Sequence, residues 1–101
     1  MEILNVSSYR ISDIKILEKV NFKELKELDL ILNDIYDINI LEKVNFKELK
    51  QLYLYCNKIS DIIVFEKVKF EKLEILDLEY NNIDNNEYSS IINNLKFKYY
   101  I

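Results

Sequence analysis

The fold class predicted by this sequence is an α/β solenoid: a short arc of four or five parallel strands with helical or irregular connections on its convex side. Three observations predict it. The ten residues LEKVNFKELK stand at 17–26 and again, unchanged, at 41–50. Laying residues 11–34 over residues 35–58 gives 17 identities in 24 positions, and residues 59–82 (ISDIIVFEKVKFEKLEILDLEYNN) follow as a third, looser copy. Within every copy the apolar residues keep the same phase. A fixed period of this length marks stacked supersecondary units, none of which can bury its apolar face alone. The chain therefore divides as one domain over residues 1–101: a partial unit at 1–10, whole units at 11–34, 35–58 and 59–82, and a capping unit at 83–101.

Each unit follows L-x-x-L-x-L-x-x-N-x-I, with Leu25, Leu28, Leu30, Asn33 and Ile35 in the first. Leu49, Leu52, Leu54, Asn57 and Ile59 repeat it, as do Leu73, Leu76, Leu78, Asn81 and Ile83. The L-x-L pair alternates with period two, so a short strand buries both leucines on one side and shows its x residues on the other. Asn33, Asn57 and Asn81 then sit where the chain leaves the strand. A side-chain amide there can satisfy backbone groups that the turn would otherwise bury unpaired. In the connection that follows, Asp13, Asp37 and Asp61 are expected to cap short helical segments. Ile14, Leu17 and Val20, with their equivalents, form an inward stripe, and Phe22, Phe46 and Phe70 plug the corner before the next strand. The charges of the LEKV segments make a solvated outer face. After the third unit, Asp84 and Glu87 read as a helix start. A helix over residues 87–94, a last strand in LKFKYYI, and Tyr88, Ile91 and Ile92 would close the core.

This spacing resembles that of leucine-rich-repeat proteins over essentially the whole chain. The I-S-D-I element after the Asn is most similar to the short repeats of bacterial internalins and of cytoplasmic phosphatase regulators. The resemblance implies a solenoid whose strands line a concave sheet. The chain departs from those classes in a period of 24 rather than about 22, in lacking the proline that follows S-D-I, and in showing no dedicated N-terminal cap.

Composition narrows the function. A net charge of -4 with interspersed signs argues against nucleic acid, and no apolar run approaches a membrane span. The N-terminus carries Glu2, Asn5 and Arg10 where a signal peptide needs an unbroken apolar segment, and Cys56 is the only cysteine, so a reducing cytoplasm is expected. The sequon Asn5-Val6-Ser7 would then go unused. Without histidine or glycine the chain has no imidazole chemistry and no glycine-rich phosphate loop. NNIDNNE, at 81–87, offers calcium-type oxygens but lacks the turn-making glycine of a calcium loop. The expectation is a protein that is not an enzyme and has no cofactor, no metal and no catalytic residue.

The differences between the first two copies point to a binding face. Of seven mismatches, five fall at x positions in or just after the strand: Glu27/Gln51, Asp29/Tyr53, Ile31/Tyr55, Leu32/Cys56 and Asp34/Lys58. Strands spaced by about 4.8 Å stack equivalent x positions into columns. One column reads Asn5, Asp29, Tyr53, Asp77; its neighbours read Ser7, Ile31, Tyr55, Glu79 and Ile3, Glu27, Gln51, Ile75. The expected partner-binding residues on the concave face are Glu27, Asp29, Ile31, Gln51, Tyr53, Tyr55, Asp77, Glu79 and Tyr80. Aromatic residues suit strands for packing reasons alone. Tyrosines ringed by carboxylates nevertheless have the composition of an interface, with anchors at the centre and charge at the rim. A protein partner carrying basic residues around an apolar anchor would fit. The alternative expectation is structural: strand residues near Met1 leave an open edge, through which terminal repeats could pair into a homo-oligomer or a longer array.

Overall fold

The computed structural model describes residues 2–101. Its centre is one sheet of five parallel strands in sequential order, β1 (Ile3–Asn5), β2 (Glu27–Asp29), β3 (Gln51–Tyr53), β4 (Ile75–Asp77) and β5 (Lys98–Tyr100). Residues 24 apart pair across the first three interfaces: Leu4 with Leu28, Leu28 with Leu52, and Leu52 with Leu76. Period and register are thus the same quantity. A shift by one residue would turn each row of leucines out of the core.

Short helices return the chain from each strand to the next. Lys15–Lys19, Asn39–Lys43 and Ile63–Glu66 are 3-10 helices, and α1 (Ser89–Asn93) is the one α-helix among the described residues. The connections are tight because their apolar residues must face inward within a few residues of the turn. Leu17 N–H donates to the Ile14 carbonyl at 3.0 Å, and Leu41 N–H to that of Ile38 at 3.1 Å. The expected caps, Asp13, Asp37 and Asp61, stand one residue before the observed cap positions. Ile14, Ile38 and Ile62 occupy the cap positions, yet Asp13, Asp37 and Asp61 each accept a first-turn N–H at 2.9–3.0 Å, from Lys15, Asn39 and Ile63. The aspartate side chain stands in for the missing helical carbonyl in each case.

The core lies between the sheet and these connections. Leu28, Leu52 and Leu76 are fully buried, as are Ile38, Ile62 and Leu41. At the corner the Phe22 and Phe46 rings stack with centroids 6.1 Å apart, Phe46 and Phe70 stack at 6.3 Å, and Phe97 meets Phe70 edge-on at 6.1 Å. The valines of the expected stripe differ from one another. Val44 is buried, Val68 is half-buried and Val20 is exposed. Val44 lies between two full-length units, whereas beyond Val68 comes the shorter unit of α1 and beyond Val20 only the partial first unit.

Among the described residues three ion pairs also span neighbouring units, each between residues 24 apart: Glu2 with Lys26 at 2.8 Å, Asp34 with Lys58 at 3.3 Å, and Glu48 with Lys72 at 2.6 Å. All lie at the surface, with Asp34 and Glu48 half-buried, and contribute little to stability. At the C-terminal end, Asp84 Oδ1 accepts the N–H groups of Asn86 and Glu87, and the Tyr88 hydroxyl donates to Asp61 Oδ1 at 3.3 Å. Ile91 and Ile92 are buried against the third connection. The helix runs five residues, shorter than residues 87–94. No helix of the described residues is long and apolar enough to cross a membrane.

Candidate functional site

The side chains of Leu28, Leu52 and Leu76 point into the core, so their strand neighbours point to the other face of the sheet, which is open. One row across that face reads Asn5, Asp29, Tyr53, Asp77 and Tyr100, and the row beside it Ile3, Glu27, Gln51, Ile75 and Lys98. Ser7, Ile31, Tyr55 and Glu79 continue past the strand ends, where the backbone still pairs: Leu30 N–H reaches the Tyr53 carbonyl at 2.9 Å and Leu32 N–H that of Tyr55 at 3.0 Å. All nine sequence-predicted residues therefore lie on or at the border of one surface.

Tyr53 stands at its centre with Asp29 and Asp77 as its partners on either side. Burial first, and then the carboxylates of Glu27, Asp29 and Asp77, push its phenol above the usual tyrosine range. The Tyr55 phenol is also raised, by burial and then by Tyr80, Cys56, Glu79 and Asp77. The two sets of causes share Asp77 and together include all four rim carboxylates, which places these groups within electrostatic reach of the two rings. Among the described residues, none of Glu27, Asp29, Asp77 and Glu79 takes part in an ion pair.

Asp29 and Asp77 also have a local task. Asp29 Oδ1 accepts the Ile31 N–H at 3.0 Å, and Asp77 Oδ1 accepts that of Glu79 at 3.0 Å. Asn5 does the same for Ser7 at 3.1 Å. Each carboxylate is thereby held in one orientation by one oxygen while the other remains free. Tyr53, at the equivalent position of β3, cannot make this bond, and the row presents a ring there instead.

Tyr80 borders the surface from an unusual backbone position. Ser8, Leu32, Cys56 and Tyr80 stand 24 apart and all have positive φ, between 56° and 63°. This left-handed conformation turns the chain off the strand just before the ladder asparagine. It is the place where glycine is preferred, and the chain contains none. The geometry swings Tyr80 beside Tyr55, their rings meeting edge-on with centroids 5.2 Å apart. Leu32 is turned outward in the same way and is exposed.

Asn33, Asn57 and Asn81 lie beneath this turn. The Asn57 amide donates to the Leu30 carbonyl at 2.9 Å and the Leu54 carbonyl at 3.1 Å, while its Oδ1 accepts the Ile35 N–H at 3.0 Å. Asn81 bonds to Leu54, Leu78 and Ile59 in the same way, and Asn33 to Val6, Leu30, Tyr9 and Ile11. These side chains hold the turns beneath the surface and take no part in it.

Sequence reasoning left out Lys98 and Tyr100. β5 pairs with β4 at an offset of 23, Asp77 with Tyr100, so the 24-residue register places the wrong residues beside Asp77. The alternation within KFKYYI was the signal that could have found them. Lys98 lies over the Tyr100 ring, 5.3 Å from its centroid, and is the one basic residue in the strand rows of this face among the described residues.

On the opposite side, an open groove of about 330 Å³ runs between the first two 3-10 helices, lined by Asp13, Lys15, Tyr36, Asp37, Glu42 and Lys43 among others. Its charges are of both signs, and both aspartates already accept backbone N–H groups. No group of three or more acidic, cysteine or histidine residues is placed to hold a metal ion among the described residues. Comparison of the chain with protein-family models and with curated proteins gives no match.

Proposed function

We propose that this protein is a non-enzymatic, cytoplasmic leucine-rich-repeat solenoid that binds a protein partner on the concave face of its sheet. The observation that carries this reading is the surface around Tyr53. Two aromatic rings occupy the centre of an open sheet face, and four carboxylates around them have no cationic partner among the described residues. Aromatic anchors within a charged rim are what a protein interface supplies. The sign of the rim selects a partner with Lys or Arg around an apolar anchor, and repels nucleic acid and anionic membrane surfaces. The leucine and asparagine spacing supports the repeat class, because one unit's asparagine serves the backbone of two successive units.

The test is capture on the immobilised protein. A partner retained by the wild type and by Tyr36→Ala, an exposed tyrosine of the opposite side, is expected to be lost from Tyr53→Ala/Tyr55→Ala. Equal retention by the double variant would refute the concave-face reading.

A second reading is supported by the outer side of β1, where Ile3 and Tyr9 are 61% and 73% exposed and Leu4, Val6 and Ile11 are only partly covered. Another copy or another repeat would continue the sheet there. Light scattering over a wide concentration range distinguishes this reading, which requires growth in mass, from a monomer.

A further inference from the structure

The row through Tyr53 has a spacing that restricts what can lie on it. Asp29 and Asp77 are its carboxylates, on β2 and β4, with Tyr53 on β3 between them. Two strand spacings separate them by about 9.6 Å. A polyproline II chain rises about 3.1 Å per residue with about three residues per turn, so residues i and i+3 face the same side about 9.3 Å apart. Nothing on that side lies between them.

The other regular conformations fit less well. An extended β-peptide repeats its face about every 6.6–6.8 Å, so two side chains bracketing Asp29 and Asp77 are either too close or have a third between them. An α-helix reaches about 10.5 Å between i and i+7, with i+3 and i+4 on the same face between them. The longer β spacing and the α-helix both put a side chain where the Tyr53 ring stands, and the shorter β spacing falls about 3 Å short of the second carboxylate. The polyproline II chain leaves that slot empty.

We propose that the open sheet face binds a basic polyproline II segment with Arg or Lys at i and i+3, lying across the strands. This rests on the concave-face reading above and names the partner chemistry for it. The two cations reach the free oxygens of Asp29 and Asp77, and their aliphatic stems straddle the Tyr53 ring. The carboxylates are already oriented, since each spends Oδ1 on a backbone N–H. One of the two intervening residues leans toward the paired rings of Tyr55 and Tyr80, an aromatic wall of the kind on which prolines dock.

The experiment measures fluorescence anisotropy of three labelled peptides of equal composition, each with two arginines among prolines, spaced i,i+2, i,i+3 or i,i+4. They are titrated at low salt with the wild type, Asp29→Asn, Asp77→Asn and Tyr53→Ala, each checked for folding by circular dichroism. Asn is the conservative change here, because Asn5 already holds the same backbone bond in β1. The expected result is that the i,i+3 peptide binds roughly tenfold more tightly than the others, and that either Asn variant loses roughly that factor. Equal affinity for all spacings, lost in the Asn variants, would overturn the polyproline II geometry and leave the concave-face reading standing. Absence of binding by every peptide, or binding that none of the variants weakens, would overturn this inference. The concave-face reading is judged separately, by partner capture.

Discussion

The Asn57 side-chain amide donates to the Leu30 carbonyl, 27 residues earlier, and that same carbonyl also accepts from Asn33. One unit's turn is thus tied to its neighbour's by a buried bond with no water alternative. Asn57→Ala leaves two carbonyls and the Ile35 N–H without this partner, and should lower the unfolding free energy by about 2–4 kcal/mol. Asn57→Asp keeps the acceptor but loses both donors, so it should be no less damaging at neutral pH. Urea unfolding followed by circular dichroism measures both.

Phe46 should be the costliest of the corner rings to remove. It is stacked on both sides, by Phe22 and Phe70, and is 3% exposed, whereas Phe70 is only partly buried. Phe46→Ala should cost about 3–5 kcal/mol, and Phe70→Ala distinctly less. Equal costs would mean that the stack is not the continuous element described above.

The left-handed positions make the opposite prediction, a gain. Leu32 holds φ of 58° with its side chain largely in solvent. A non-glycine residue there carries a steric cost that glycine lacks, partly offset by glycine's greater freedom when unfolded. Leu32→Gly should raise stability by about 0.5–1 kcal/mol. Tyr80→Gly should relieve the same backbone while removing the Tyr55–Tyr80 contact, so it separates stability from binding.

These positions also show where sequence reading stops. The strand register could be read directly, because residues at a fixed period that alternate in and out leave one pairing that buries Leu28, Leu52 and Leu76. The asparagine bonds could be read too, since an amide at a strand exit has few other reasons to recur. Nothing in Leu32, Cys56 or Tyr80 announced a left-handed backbone, because the usual signal is glycine and the chain has none. The 3-10 form of the connections depends on how tightly each turn packs against the sheet, which no local pattern encodes. The offset of 23 at β5 broke the period that had served for the other strands, and hid Lys98 and Tyr100.

Alkaline pH should weaken the fold through the surface tyrosines. Burial and the surrounding carboxylates raise the Tyr53 phenol, and burial with its neighbours raises Tyr55. The folded state then keeps these protons longer than the unfolded chain does. Below the ordinary tyrosine value the two states bind equal numbers of protons and the effect is nil; above about pH 10 the unfolded chain ionises first and stability falls. Phenolate absorbance during titration should show tyrosines that ionise only at higher pH than free tyrosine, and Asp77→Asn should move both toward ordinary behaviour.

The most direct test of the account is amide chemical-shift mapping of the labelled protein with a captured partner. The concave-face reading predicts perturbations concentrated in β2, β3, β4 and β5 and in Ile31, Tyr55, Glu79 and Tyr80, with the 3-10 helices Lys15–Lys19 and Asn39–Lys43 unmoved. Perturbations confined to those helices and the groove between them would contradict it.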